Sequence, residues 1–151
     1  MSSQENPTGI KISTSRFGEL TIDKDKIIIM TSPFLGFPDS TRFILQKHGL
    51  SSPFMWFQSV DDPNLAFVVI QSVVVDPSYN PPVNDHIREE LEATDVSELE
   101  LLLILTIPRE NPRAMTANLL GPVMINANKR LAKQVLLDPG RYDCCWPIIS
   151  E

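Results

Sequence analysis

The sequence is poor in the residues that build catalytic and metal sites. Its 151 residues include two histidines and two cysteines. His48 and His86 are far apart, each beside a turn or helix start, and we expect both at the surface. Cys144 and Cys145 are adjacent, a spacing that fits neither a usual disulfide nor a zinc site. No GxSxG, HExxH or phosphate-binding glycine motif occurs. We therefore expect two reduced thiols, no metal or other cofactor, and no enzymatic activity.

Basic side chains are also scarce. The 13 lysines and arginines face 19 acidic residues, which gives a formal charge of −6. Nucleic-acid binding depends on a basic face that neutralises phosphates. The one modest basic cluster consists of Lys129, Arg130 and Lys133. These observations predict no direct nucleic-acid contact and favour a protein partner, of which a basic one fits best.

Long apolar runs are missing as well. The longest, such as Leu101–Leu105, are far too short to cross a bilayer. The N-terminal stretch "MSSQENPTG" has neither a basic start nor an apolar core, so it does not resemble a signal peptide. We expect a cytoplasmic protein without membrane contact. Residues 1–8 are predicted to be a disordered tail, and residues 9–151 a single domain.

What is present is a series of short strand patterns, about nine at near-regular spacing. They predict an all-β, mainly antiparallel fold, a small closed or nearly closed β-barrel or a sandwich, with one short helix. The helix is expected over "HIREELEATD", capped by Asn84 or Asp85, with Ile87 and Leu91 on its buried face.

The stretch "FMWFQSVDDPNLAFVVI" (Phe54–Ile70) places two carboxylates between two apolar strands. Phe54, Trp56 and Gln58 are expected on one face of the first strand and Met55, Phe57 and Ser59 on the other. The segment Asp61–Asn64 has turn chemistry, because Pro63 fixes φ and aspartate and asparagine bond to nearby backbone. A structural turn is the favoured interpretation over an acid/base or metal site. Trp56 is expected in the core.

The strands "LAFVVI", "KIIIM" and "ELLLIL" do not alternate between apolar and polar residues. An antiparallel strand with one wet face should alternate. Two interpretations stand equal on the residues alone. Loops cover the outer face of the barrel, or part of that face is reserved for a protein partner.

Four motifs in order then give a resemblance. They are "FLGF" (Phe34–Phe37), WxQSxDDP (Trp56–Pro63), "LTIP" (Leu105–Pro108) and NLLxPxxIN (Asn118–Asn126). Over about Ile10 to Leu137 the sequence resembles the bacterial flagellar assembly factor FliW family. The resemblance implies a small non-enzymatic β-barrel that acts as a chaperone for newly made flagellin. It also implies binding to the translational regulator CsrA, which prevents that protein from repressing flagellin mRNA.

The candidate protein-binding residues come from the turn, the acidic helix and the NLLxPxxIN segment: Asp61, Asp62, Glu89, Glu90, Asn118 and Asn126. Flagellin is expected on exposed apolar strand surface with an open strand edge. Which face binds which partner stays open. The alternatives are a small-molecule-binding β-barrel and an OB-like nucleic-acid-binding module.

Overall fold

A computed structural model of the chain describes residues 9–49 and 51–148, so the predicted tail at residues 1–8 lies outside the described residues. The strands are β1 (Gly9–Thr14), β2 (Gly18–Asp23), β3 (Ile28–Met30), β4 (Arg42–Lys47), β5 (Phe54–Ser59), β6 (Ala66–Gln71), β7 (Leu99–Thr106), β8 (Thr116–Ala117), β9 (Val123–Asn126), β10 (Leu131–Gln134) and β11 (Trp146–Pro147). The helices are α1 (Ser72–Val75) and α2 (Asp85–Glu90), and three short 3₁₀ turns cover Lys24–Lys26, Val96–Glu98 and Pro112–Ala114.

Seven strands form a closed barrel in the order β3-β4-β5-β6-β7-β9-β10. All neighbours are antiparallel except β10 and β3, whose parallel pairing of Leu131 with Ile29 closes the ring. The strands β1 and β2 form a separate hairpin, and β8 and β11 extend β7 outside the ring. The predicted mainly antiparallel barrel is confirmed.

The inner face is filled by one apolar cluster. Phe43 and Phe57 are fully buried and stack with ring centroids 4.6 Å apart. Met55 packs against the same cluster, as its place on the inward face of β5 predicts. Burial of such large side chains is the main stabilising contribution of the barrel interior.

The outer face is covered by the chain itself at three places. The hairpin β1–β2 packs Ile12 and Ile22 against Ile44 of β4. Helix α2 and its flanks pack Leu91 against Met124 of β9. A third apolar cluster covers the outer side of β6 and β7 and contains Ile70, Leu103, Leu105, Ala117 and Leu119. Strand β7 is therefore buried on both sides, and this explains why it does not alternate.

Helix α2 follows the predicted capping but is shorter than predicted. Asn84 accepts a hydrogen bond from the Ile87 N–H at 2.8 Å, and Ile87 and Leu91 are buried. The last helical residue is Glu90, and Glu92 has φ of 56°. The Arg88 guanidinium donates to the Ala93 carbonyl at 2.9 Å. These local contacts end the helix before the Ala-Thr-Asp segment that the sequence pattern included.

The barrel has two different ends. At the first, residues 31–41 form a loop, here called the plug loop, whose Phe34 inserts against Phe43, Phe57 and Phe67. We call this the plugged end. At the other, here called the open end, a cavity of about 500 Å³ reaches the interior residues Ile28, Leu45 and Ile125, below a charged rim.

Within residues 9–49 and 51–148, no helix has both the length and the apolar character needed to span a membrane.

Candidate protein-binding site

Asp61 fixes the junction between the β5–β6 turn and the plug loop. Its carboxylate accepts hydrogen bonds from the Thr41 and Arg42 N–H groups, both at 3.1 Å. The Arg42 guanidinium adds two more at 3.0 and 2.7 Å. Burial raises the pKa of Asp61, but the hydrogen bonds from Arg42 and Thr41 outweigh it and hold that pKa below its ordinary value. Asp61 is thus a paired, structural carboxylate.

Asp62 organises the turn itself. Its Oδ1 accepts a hydrogen bond from the Asn64 N–H at 2.9 Å, and its own N–H donates to Ser59 Oγ at 2.9 Å. The prediction that Asp61–Asn64 forms a structural turn is confirmed. The carboxylates of Asp61 and Asp62 both accept backbone hydrogen bonds.

Glu90 is tied to the barrel. It accepts a hydrogen bond from Thr31 Oγ1 at 2.6 Å and another from Lys133 Nζ at 3.2 Å. Its second oxygen lies 3.7 Å from His86 Nε2, so this exposed histidine does face a carboxylate at i+4. The bond from Thr31 is the main reason that the pKa of Glu90 lies below its ordinary value, with burial opposing it. The lowered pKa keeps Glu90 ionised, and the Lys133 ammonium at 3.2 Å offsets much of its charge.

Glu89 is the freer of the two helix acids, with a side chain that is largely exposed and 3.8 Å from Arg88. Asp85 and Glu92 are also exposed on this part of the chain. The solvent-facing acidic group of α2 and its C-terminal flank is therefore Asp85, Glu89 and Glu92, without Glu90.

Asn118 and Asn126 have local structural roles. Asn118 Oδ1 accepts from the Leu120 and Gly121 N–H groups at 3.0 and 2.9 Å. Asn126 is buried, and its Nδ2 donates to the Leu91 carbonyl at 2.8 Å. Asn118 therefore stabilises a turn, and Asn126 holds the end of α2 against the barrel.

The six candidate residues do not form one patch. Asp61 and Glu90 both bond to the plug loop, through Thr41 and Thr31 respectively. Asn126 lies at the open end of β9, where Leu131 pairs with it across the β9–β10 turn. The structure thus brings two of the six to the plug loop and explains Asn118 and Asn126 by the fold.

The residue that sequence reasoning missed is Leu35. The Phe37 N–H donates to the Phe34 carbonyl at 3.0 Å, and Gly36 has φ of 91°. This is the geometry of a type II turn, which requires glycine at its third position. Leu35 occupies the corner of that turn and is 93% exposed, beside Phe37 at 38%. The "FLGF" motif contained the signal: a glycine that fixes a turn between two aromatic anchors.

The expectation that Trp56 lies in the core is wrong. It lies on the outer face of β5, half-buried, and does not belong to the apolar clusters of the described residues. The Arg16 guanidinium sits 3.9 Å from its ring centroid, and Phe17 packs edge-on at 6.3 Å. Its place in the β5 alternation was predicted correctly, but it joins the hairpin to the barrel instead of filling the core.

The expected open strand edge is absent from the barrel, because β10 pairs with β3. The outer strand faces are largely covered by the chain, as described above. The exposed apolar side chains that remain lie mostly in loops and short elements: Ile29, Leu35, Phe37, Val73, Val74, Val96, Ile107, Leu136 and Trp146. Most of the apolar strand residues are therefore explained by packing of the chain over the outer face of the barrel. Among the described residues, those just named remain exposed and available to a partner.

The basic cluster is largely neutralised. Lys133 pairs with Glu90 at 3.2 Å, and Arg130 lies 3.7 Å from Asp25. Across the residues that the structure describes, no group of three or more histidine, cysteine or carboxylate side chains is placed to hold a metal ion. The arrangement is that of a closed β-barrel that presents a rigid apolar turn and an acidic helix, which is a surface suited to binding proteins.

Comparison with known proteins gives the family. The "FliW protein" family model matches residues 11–148. A flagellar assembly factor FliW from Syntrophus aciditrophicus is 41% identical, covering 94% of this chain and 89% of the relative. One from Magnetococcus marinus is 37% identical, covering 94% and 86%. A crystal structure of the flagellar assembly factor FliW superposes with a TM-score of 0.85 at 33% identity, covering 94% of this chain and 99% of that one.

The family model and the relatives define the class of this barrel, which is that of flagellar assembly factors, a non-enzymatic family. The chain belongs to the FliW family of flagellar assembly factors.

Proposed function

We propose that the protein binds newly made flagellin in the cytoplasm and also binds the translational regulator CsrA, which relieves repression of flagellin mRNA. Family membership supports the setting, since the relatives are named flagellar assembly factors. The observation that carries the flagellin part is Leu35, an apolar side chain 93% exposed on a turn that its neighbours hold in place.

The flagellin surface is centred on the plug loop. Exposed leucine and phenylalanine side chains are unfavourable in water, so their burial against a partner lowers the free energy, and contiguous ones mark interaction sites. Phe34 is buried and anchors the loop, so Leu35 is presented in a fixed position. A fixed apolar anchor binds with less loss of side-chain entropy than a mobile one. The partner segment is an amphipathic flagellin terminus that is unpaired before assembly, and its apolar face contacts Leu35 and Phe37.

The protein acts on the regulator CsrA through its negative charge. A protein with a net charge of −6, bound beside an RNA-binding surface, weakens RNA binding electrostatically without covering that surface. The exposed acids of α2 and its flank, Asp85, Glu89 and Glu92, supply this field together with Asp62. Glu90 and Asp61 contribute less because their side chains are only 21% exposed and pair with Lys133 and Arg42.

A gel-shift titration of the regulator–RNA complex tests this mechanism. Adding the protein should dissociate the RNA, and the effect should weaken as salt rises. The variant Glu89→Lys should lose part of the effect, whereas Glu110→Lys, the same change on an exposed loop outside α2, serves as the control. A stable ternary complex with RNA still bound, or RNA binding by this protein alone, would contradict the proposal.

The cavity of about 500 Å³ at the open end supports a second candidate function, small-molecule binding. Its volume falls in the range of ligand pockets. Native mass spectrometry of the protein purified from its host tests this candidate, since a co-purifying small molecule would favour it.

A further inference from the structure

Cys144 and Cys145 have no role in the proposed function, yet the structure places their two sulfur atoms together. Both side chains are exposed, and the Sγ atoms lie 3.4 Å apart. They are also the chain's only cysteines. A reagent that needs two neighbouring thiols therefore has one place to react.

The backbone on both sides of the pair is anchored. The Cys145 N–H donates to Asp143 Oδ1 at 2.8 Å, and the Leu119 N–H donates to the Asp143 carbonyl at 2.9 Å. On the other side, Trp146 pairs with Ala117 in the β8–β11 ladder. The segment is thus held before any ligand arrives, which lowers the entropic cost of binding.

The sulfur separation discriminates between ligands. A bridging atom with bonds of about 2.3 Å to sulfur spans a separation of 3.4 Å at an angle of about 95°. A tetrahedral zinc ion would hold the sulfurs about 3.8 Å apart and needs further ligands, and a linear two-coordinate ion would need about 4.6 Å. A pyramidal three-coordinate atom fits the observed separation best.

A disulfide fits less well. Adjacent Cα atoms joined by a trans peptide are about 3.8 Å apart, below the usual disulfide range.

We propose that Cys144 and Cys145 form a dithiol site for trivalent arsenic compounds. With an organoarsenous oxide, the two S–H bonds and the arsenic–oxygen bond break, two arsenic–sulfur bonds form, and both thiol protons leave with the oxygen as one water molecule. Arsenic stays trivalent and no oxidant is consumed. The chain thereby acquires a cyclic dithiolate directly before β11.

Phenylarsine oxide is the probe. Intact-mass measurement of the full chain should show one phenylarsenic group per molecule, with both free thiols lost together in a thiol titration. Excess 2-mercaptoethanol should leave the adduct in place, whereas 2,3-dimercaptopropanol should remove it. Cys144→Ser and Cys145→Ser should each weaken the apparent affinity by at least about a hundredfold, because the second bond is intramolecular only when both thiols are present.

Three results would overturn the proposal. The first is two arsenic groups per chain, which would mean that the thiols react independently. The second is release by the monothiol at the rate seen in the two single variants. The third is formation of a Cys144–Cys145 disulfide under mild oxidation faster than the arsenical reacts. Circular dichroism of both serine variants checks that they remain folded, which is expected for exposed positions.

Discussion

The two ends of the barrel are built differently although the same strands form both. At the plugged end, the plug loop returns Phe34 into the interior, where it contacts the rings of Phe43 and Phe67 at 5.4 and 4.7 Å. At the open end the described residues that line the opening include no aromatic ring, and the cavity is bordered by Asp25, Lys26, Glu100 and Arg130. One inserted side chain and its carboxylate-bound loop thus make the difference between a packed end and a cavity.

The two ends also differ in how the chain supports an exposed apolar side chain that a partner could contact. The plug loop is held by Phe34 from inside and by Asp61 and Glu90 from outside. Leu35 therefore projects from a fully supported turn. The exposed valines near the open end, Val73 and Val74, lie on the single helical turn α1, whose Val75 packs against the apolar cluster over β6 and β7.

The largest expected effect is loss of the plug. Phe34→Ala should destabilise the protein by about 3–5 kcal/mol, because it empties a large buried site among three other rings. Leu45→Ala, which removes a half-buried side chain beside the existing cavity, should cost about 1–2 kcal/mol. Urea denaturation measures both. Equal losses would show that the two ends are equally well packed and would remove the basis of the comparison.

The next effect concerns the support of the plug loop. Asp61→Ala removes hydrogen bonds to two backbone N–H groups and an Arg42 ion pair, and should cost about 1–2 kcal/mol. Asp62→Ala loses a single backbone bond within the turn and should cost about 0.5–1 kcal/mol. Thermal melting of the two variants gives the comparison. If neither variant changes the melting temperature, the turn does not depend on its carboxylates.

Acid should loosen the plugged end. The pKa values of Asp61 and Glu90 are both lowered in the folded chain. A lowered pKa means that the unfolded chain binds protons more readily, so the stabilisation is present above the ordinary pKa of about 4 and is lost as the pH falls through the folded value. Stability should therefore decline as the pH falls below about 5.

The double variant Asp61→Asn, Glu90→Gln should show a flatter decline than the parent when unfolding is measured from about pH 5 to pH 2. Glu89→Gln removes the same kind of charge from an exposed position and is the control. A decline of unchanged slope in the double variant would assign the acid sensitivity to other carboxylates.

The smallest effect is expected at the open end. Asp25 and Arg130 are 3.7 Å apart and both are largely exposed. Such pairs contribute about 0–1 kcal/mol, and salt screens them. Asp25→Asn should therefore change the free energy of unfolding by less than about 0.5 kcal/mol. A larger loss would mean that the rim of the open end is also held by electrostatics.

The elements that sequence predicted well have short-range causes. Pro63 with the preceding Asp61 and Asp62 predicted the turn, and Asn84 with Ile87 predicted the helix start. Each of these structures depends on contacts between neighbouring residues. Long-range partners were out of reach. Arg42 meets Asp61 across 19 positions, and Thr31 meets Glu90 across 59. The packing of the hairpin β1–β2 over Ile44 is also a long-range contact. The sequence did not show that the hairpin contacts the outer face of β5, and Trp56 was therefore assigned to the core.

Two further differences have local reasons. The predicted fold has one helix, whereas Ser72–Val75 form a second one, α1, although its valines are β-branched and favour strands. Strands β8 and β11 have two residues each and leave no periodic pattern to detect, which is why the described part of the chain has eleven strands where about nine were predicted. The single-domain assignment of residues 9–151 stays a prediction.

Flagellin is expected to bind the plugged end of the barrel and not the open end. Isothermal titration calorimetry of purified monomeric flagellin tests it with Leu35→Asp and Val73→Asp, which place the same charge on exposed apolar positions at the two ends. Leu35→Asp should weaken binding by at least about thirtyfold, as expected for the loss of an interface anchor of about 2 kcal/mol. Val73→Asp should bind as the parent does. Parent-like binding by a folded Leu35→Asp, or a loss confined to Val73→Asp, would contradict the claim.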